Sequence, residues 1–168
     1  MRLVILFATL TYLALAIETS VPYWIQTRIL IPNLIVILAV DLGLRNHGVV
    51  PAILAFAMGY ATDAFSGSTL GVNAFLITIV FLLTYEISSR LLVTNAAVGA
   101  TFVFLGVIVT SIGALVLADG AAGLAATGPM LPGIAVQAAI SAIVAPIVFA
   151  LVALLKRIAG LPVALARE

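Results

Sequence analysis

Residues 63–73 read Asp-Ala-Phe-Ser-Gly-Ser-Thr-Leu-Gly-Val-Asn, the densest polar run in a chain that is 65% hydrophobic. Three chemistries are open to such a run: nucleophilic attack by Ser66 or Ser68, proton or ion movement through Asp63, and hydrogen-bonded recognition. Nucleophilic attack needs a neighbouring base. The only histidine, His47, lies in a different inter-segment stretch, and the only lysine, Lys156, lies far along the chain. Ion movement calls for further carboxylates within the apolar segments, whereas Glu18, Asp41, Glu86 and Asp119 all fall near segment ends. With no cysteine and no paired-histidine spacing, thiolate chemistry and a catalytic metal site are set aside. Hydrogen bonding is what remains, so no catalytic residue, no metal and no cofactor is expected.

The elements that must position this run are apolar. Charged residues make up 8% of the chain and the mean hydropathy is +1.38. A soluble domain carries roughly a quarter charged residues, so this is an all-α integral membrane protein. The net charge of +1 and the lack of a basic run give no reason to expect nucleic acid. Charges, prolines and glycines mark off six apolar segments, approximately 3–17, 29–44, 49–62, 72–87, 96–118 and 134–155. Together they predict a single domain, 1–168, built as a bundle of six transmembrane helices. The first segment has no convincing small-residue cleavage site after it and reads as a retained span. Segments two to four are short of the ~20 residues needed to cross the hydrocarbon.

Arg2, Arg45, Arg90, Lys156, Arg157 and Arg167 then fall on one side and Arg28 on the other. That asymmetry predicts cytoplasmic termini. Tyr23 and Trp24 would anchor the outer interface, and the 119–133 connection would face outward. Asn33, Asp63, Ser66, Ser68, Thr69 and Asn73 would share the outer end as a polar recognition cluster. Ser68 or Thr69 is a suitable N-cap for the fourth helix, and Gly67 and Gly71 permit a tight loop. Pro32 suits the first turn of the second helix. At the inner side, Asp41 precedes Arg45 and Glu86 precedes Arg90 by four residues, the spacing of ion pairs that finish helices.

Small residues mark packing faces in lipid. Gly99, Gly106, Gly113 and Gly120 recur every seven residues, and Ala55, Gly59 and Asp63 share one face of the third segment. Either stripe could pack within the bundle or receive a partner's helix.

Pro32-Asn33-Leu34, followed by Gly59-x-x-x-Asp63-x-x-Ser66-Gly67-Ser68-Thr69-Leu70-Gly71, resembles the MreD family of rod shape-determining membrane proteins. The resemblance implies a fold similar to the six-helix S-components of energy-coupling-factor transporters. It also implies a non-enzymatic role in the elongation complex of the bacterial inner membrane, where side-wall peptidoglycan is made. The implied partners are MreC, a single-span protein, and within the wider complex RodA, its transpeptidase and MreB, with a homodimer also open. The alternative from layout is a small-molecule-binding membrane subunit of the S-component kind.

Overall fold

The computed structural model describes residues 2–25, 31–46, 48–67, 69–90 and 96–160, and their side chains except those of 21–25, 90, 96, 119, 121 and 123–126. The described residues form helices, with no strand among them. These are α1 (Arg2–Ile25), α2 (Leu34–Arg45), α3 (Val49–Ser66), α4 (Val72–Arg90) and α5 (Ala96–Ile158). The last is two helices run together across Gly120, whose φ of 57° and ψ of −126° are non-helical. Glycine reaches that region without a Cβ penalty. The two arms fold back on each other, because Gly99 in the first meets Phe149 in the second.

Helix α2 is the hub. From Ile35 to Gly43 every residue is buried, as befits a helix that is apolar all round. It contributes to both hydrophobic clusters. Ile35, Leu38 and Leu42 pack with Phe7, Met58 and Phe81. Val36 and Val40 pack with Val80, Val103, Val107 and Phe149. The glycine face of α5 is filled from within the chain: a Cβ on Gly106 would meet Val36 and Val80, and one on Gly113 would meet Leu76.

The chain thus has two distinguishable ends. At a basic end, Lys156 reaches Asp41 and Asn46 at the close of α2, and Ser88 donates to the Leu44 carbonyl. At an acidic end lie Glu18 of α1, Asp63 of α3 and the N-termini of α2 and α4. Among the described residues five stretches are long and apolar enough to cross a membrane: Arg2–Ser20, Val49–Ser66, Val72–Ser89, Ala97–Ala118 and Thr127–Ile158. Helix α2, with 12 residues, spans only about 18 Å of a hydrocarbon layer of about 30 Å.

Several boundaries differ from those read in the sequence. Helix α1 continues past residue 17 through Pro22, and α4 runs three residues beyond 87. Helix α2 begins after Pro32, not around it, because Asn33 is the N-cap and its Oδ1 accepts from Val36 N–H at 3.0 Å. Most of 119–133 is helical, with Pro129 and Pro132 inside the element. Prolines usually end helices in water, but membrane helices tolerate them where neighbouring groups satisfy the backbone.

Helices α3 and α4 approach each other closely at Gly59. A Cβ there would lie 2.5 Å from Ala74 Cα and 2.6 Å from the Asn73 carbonyl oxygen. Both are backbone atoms that cannot rotate aside. Gly59→Ala is therefore expected to destabilise the bundle by about 1–3 kcal/mol. Gly99→Ala should be milder, since its nearest contact is the edge of the Phe149 ring. Thermal unfolding of the two variants in one detergent checks the order. Equal losses would mean that α3 and α4 can separate freely.

Candidate functional site

At the acidic end, two carboxylates each cap the helix that follows their own. Asp63 is fully buried at the last turn of α3. Its Oδ1 accepts from Asn73 N–H at 3.1 Å and Asn73 Nδ2 at 2.9 Å. Its Oδ2 accepts from Gly71 N–H at 2.9 Å and Ala74 N–H at 3.2 Å. These are donors that the first turn of a helix leaves without an internal partner. Gly67, in the left-handed region at φ 65°, closes α3 and turns the chain so that α4 starts beneath the carboxylate.

Glu18 plays the equivalent part for α2. Its Oε1 accepts from Leu34 N–H and, at 3.4 Å, from Ile35 N–H. An anion suits this position because the backbone N–H groups converge on it and the helix dipole is positive there. Asn33 N–H donates to Ser141 Oγ at 2.9 Å, and Gln137 Nε2 donates to the Ile31 carbonyl at 3.2 Å. The second arm of α5 is thereby tied to the entry of α2.

The polar residues grouped by sequence thus form two sets. Asp63 and Asn73 belong to the α3–α4 turn, where Ser66 donates to the Asp63 carbonyl at 3.4 Å and the Thr69 carbonyl accepts from Val72 N–H at 3.3 Å. Asn33 belongs with Glu18 and Ser141. Thr69 and Ser66 are exposed, Ser68 lies outside the described residues, and α4 takes its cap from Asp63. Ala55, Gly59 and Asp63 are all buried on one face of α3.

Between the two sets lies a cavity of about 400 Å³. Glu18 and Thr19 of α1, Asn33, Thr62 and Ser66 of α3 and Gln137 of α5 supply its polar wall, with Leu15 and Phe65 on the apolar side. It lies at the N-terminal end of the short α2, beside its N-cap Asn33.

The basic end carries a buried ion cluster. Asp41, fully buried, faces Arg45 Nε at 2.8 Å and Lys156 Nζ at 3.0 Å. The Arg45 contact is an ion pair without hydrogen-bond alignment, since Oδ1 accepts no hydrogen bond. Lys156 Nζ also donates to Asn46 Oδ1 at 2.9 Å and sits 5.1 Å from the Phe7 ring centroid. Arg45 lies 5.9 Å from the ring of Phe149. Glu86 is exposed, while the side chain of Arg90 and all of His47 lie outside the described residues.

Lys156 and Glu18 escape sequence reasoning that pairs charges by local spacing. A signal is nevertheless present. Ala145, Phe149, Val152 and Lys156 fall at helical spacing and are all buried, as are Phe7, Thr11 and Leu15 leading to Glu18. Among the described residues no three His, Cys, Asp or Glu side chains gather to hold a metal ion.

Two carboxylate-capped helix entries, joined through the Pro32–Asn33 and Asp63–Asn73 segments, are the geometry behind the motif noted in the sequence. A model of the family of rod shape-determining protein MreD matches residues 1–155. The chain belongs to the MreD family. No curated protein and no solved structure matches it. MreD proteins are rod shape-determining, so this is a multi-pass, shape-determining membrane protein. The motif of the MreD resemblance, Pro32 to Asn73, lies wholly within the matched residues. In this MreD chain the buried oxygens of Asp63 are taken up by the α3–α4 turn. They hold the entry of α4 against the end of α3.

Proposed function

We propose that the chain is a non-enzymatic scaffold of the cell-elongation complex in the bacterial cytoplasmic membrane. It binds MreC and supports side-wall peptidoglycan synthesis, with RodA, its transpeptidase and MreB as further members of the assembly. The observation that carries this reading is the family match over residues 1–155. The bundle has six membrane-inserted helices, with α2 as the short central one, and the basic end with both termini faces the cytoplasm. Arg2, Arg45, Lys156 and Arg157 at that end support the orientation through the positive-inside bias.

The glycine face of α5 is occupied at Gly99, Gly106 and Gly113 by α2, α4 and Phe149, so a partner's span docks elsewhere. The exposed seam of α3 suits it. Val49, Ile53, Phe56 and Tyr60 recur at four-three-four spacing and are each about half exposed or more, with Phe56 and Tyr60 stacked at 6.5 Å. Such a seam is the geometry by which one helix lies along another.

The test is photo-cross-linking in native membranes, with a photoreactive amino acid placed in turn at Ile53, Tyr60, Ile143 and Ile147. MreC is expected to be captured from Ile53 and Tyr60 and not from the second arm of α5. Capture from Ile143 or Ile147 alone would move the interface to α5. Capture from none of the four would sink the MreC-binding reading.

A further inference from the structure

The chamber at the acidic end does not close on itself. A second, apolar groove of about 220 Å³ runs between α1 and α3, and Leu15 and Phe65 line both spaces. The remaining groove walls include Phe7, Ala8, Leu54 and Ala57. The one polar side chain within it whose hydrogen bond could compete for a ligand is Tyr12, since Thr11 Oγ1 donates to its own helix at 2.7 Å. Ala8, Tyr12 and Ala57 are exposed, so the groove opens sideways toward lipid. A polar chamber continuous with an apolar lateral groove has the shape of an amphiphile.

The chamber also selects the kind of head. Its hydroxyl protons are already directed at backbone: Thr19 donates to the Leu15 carbonyl at 2.7 Å, Thr62 to the Met58 carbonyl at 3.0 Å and Ser66 to the Asp63 carbonyl at 3.4 Å. Gln137 uses an amide proton on Ile31. What is left facing a guest is mostly oxygen. Among the described residues none donates to Glu18 Oε2, while Oε1 caps α2, and the Gln137 amide oxygen and the hydroxyl lone pairs add further acceptors. The Asn33 amide, whose Oδ1 is held by Val36, and the second amide proton of Gln137 are the chamber's remaining donors. A wall of acceptors with one carboxylate fits a donor-only cation, and the adjacent amide donors fit the phosphate next to it.

We propose that the acidic end binds one membrane lipid whose headgroup carries a primary ammonium, with the ammonium at Glu18 and an acyl chain in the α1–α3 groove. This goes beyond the scaffold role and does not depend on MreC binding. The bound lipid fills the space left by the short α2 and bridges α1 to α3.

Native mass spectrometry of the full chain released from nanodiscs tests it, using phosphatidylethanolamine, phosphatidylcholine and phosphatidylglycerol in turn. Phosphatidylcholine keeps the charge but has no N–H, and phosphatidylglycerol has no cation. The wild-type chain is expected to retain one phosphatidylethanolamine in preference to the other two. Glu18→Gln keeps an acceptor for the Leu34 N–H and removes the charge, and should reduce that preference about tenfold. Ala57→Trp, on the exposed wall of the groove, should lower retention of all three lipids. Equal retention of the three by the wild-type chain, or an unchanged preference in Glu18→Gln, would overturn the proposal. So would undiminished retention in Ala57→Trp.

Discussion

Replacing Asp63 with leucine is expected to release the first turn of α4 and to destabilise the bundle by about 3–6 kcal/mol. The carboxylate is fully buried and accepts from Asn73 Nδ2 and from the backbone N–H groups of Gly71, Asn73 and Ala74. Leucine fills a similar volume but leaves those donors without a partner in a region that water enters poorly, at about 1–3 kcal/mol for each. The loss propagates because Ala74 also forms the surface on which Gly59 rests. Asp63→Asn should fall between wild type and leucine. It retains one acceptor oxygen but turns an N–H₂ toward donors. Ser66→Ala, on an exposed hydroxyl, should stay within about 0.5 kcal/mol of wild type. Helical circular dichroism during heating in detergent, with hydrogen exchange at residues 71–74, measures both effects. Matching stability of Asp63→Leu and Ser66→Ala would refute the capping role.

The importance of Asp63 was legible in the sequence because its surroundings are so apolar: a carboxylate between Ala55, Gly59 and a Gly-Ser-Thr loop has to be satisfied internally. The loop glycines and the following helix point to a turn, and a cap follows from that. The capping partner was harder to read. Serine and threonine at the start of a helix signal a local cap, whereas this helix takes its acceptor from the end of the preceding one. The apolar segments were equally plain, since helix and lipid both demand them. Their ends were not, because the prolines at 22, 129 and 132 sit where soluble helices would stop. The two features least visible were Glu18 on α2 and Lys156 on Asp41, separated by 16 and 115 positions. Sequence spacing reports what one helix places side by side. It says nothing about which helix lies across the way until the fold brings the faces together. Lys156 next to Arg157 therefore read as part of a basic interface, although its register with Val152 and Phe149 places it inside.

That buried lysine gives the second large expected effect, and here the order of the variants carries the argument. Asp41→Leu strands Lys156, which is 1% exposed, with only the Asn46 amide oxygen and the Phe7 ring for company. Breaking a buried pair by removing one partner costs about 3–5 kcal/mol, so this variant should be the worst of the set. Lys156→Met should be milder, because Asp41 keeps Arg45 at 2.8 Å, and Arg45 is one-quarter exposed at its side chain. The double variant Asp41→Leu with Lys156→Met should be more stable than Asp41→Leu alone, since it removes the stranded charge. A coupling of about 1–3 kcal/mol is expected from the cycle. Because the cluster is buried, raising the salt concentration should change these differences little, whereas an exposed pair would be screened. Additive losses in the double variant would mean that Lys156 finds water or headgroups when Asp41 is gone. Then the cluster would only mark the membrane surface. Non-additive losses, with the 71–74 amides still protected, would show that this end locks α1, α2 and α5 together independently of the Asp63 turn at the other.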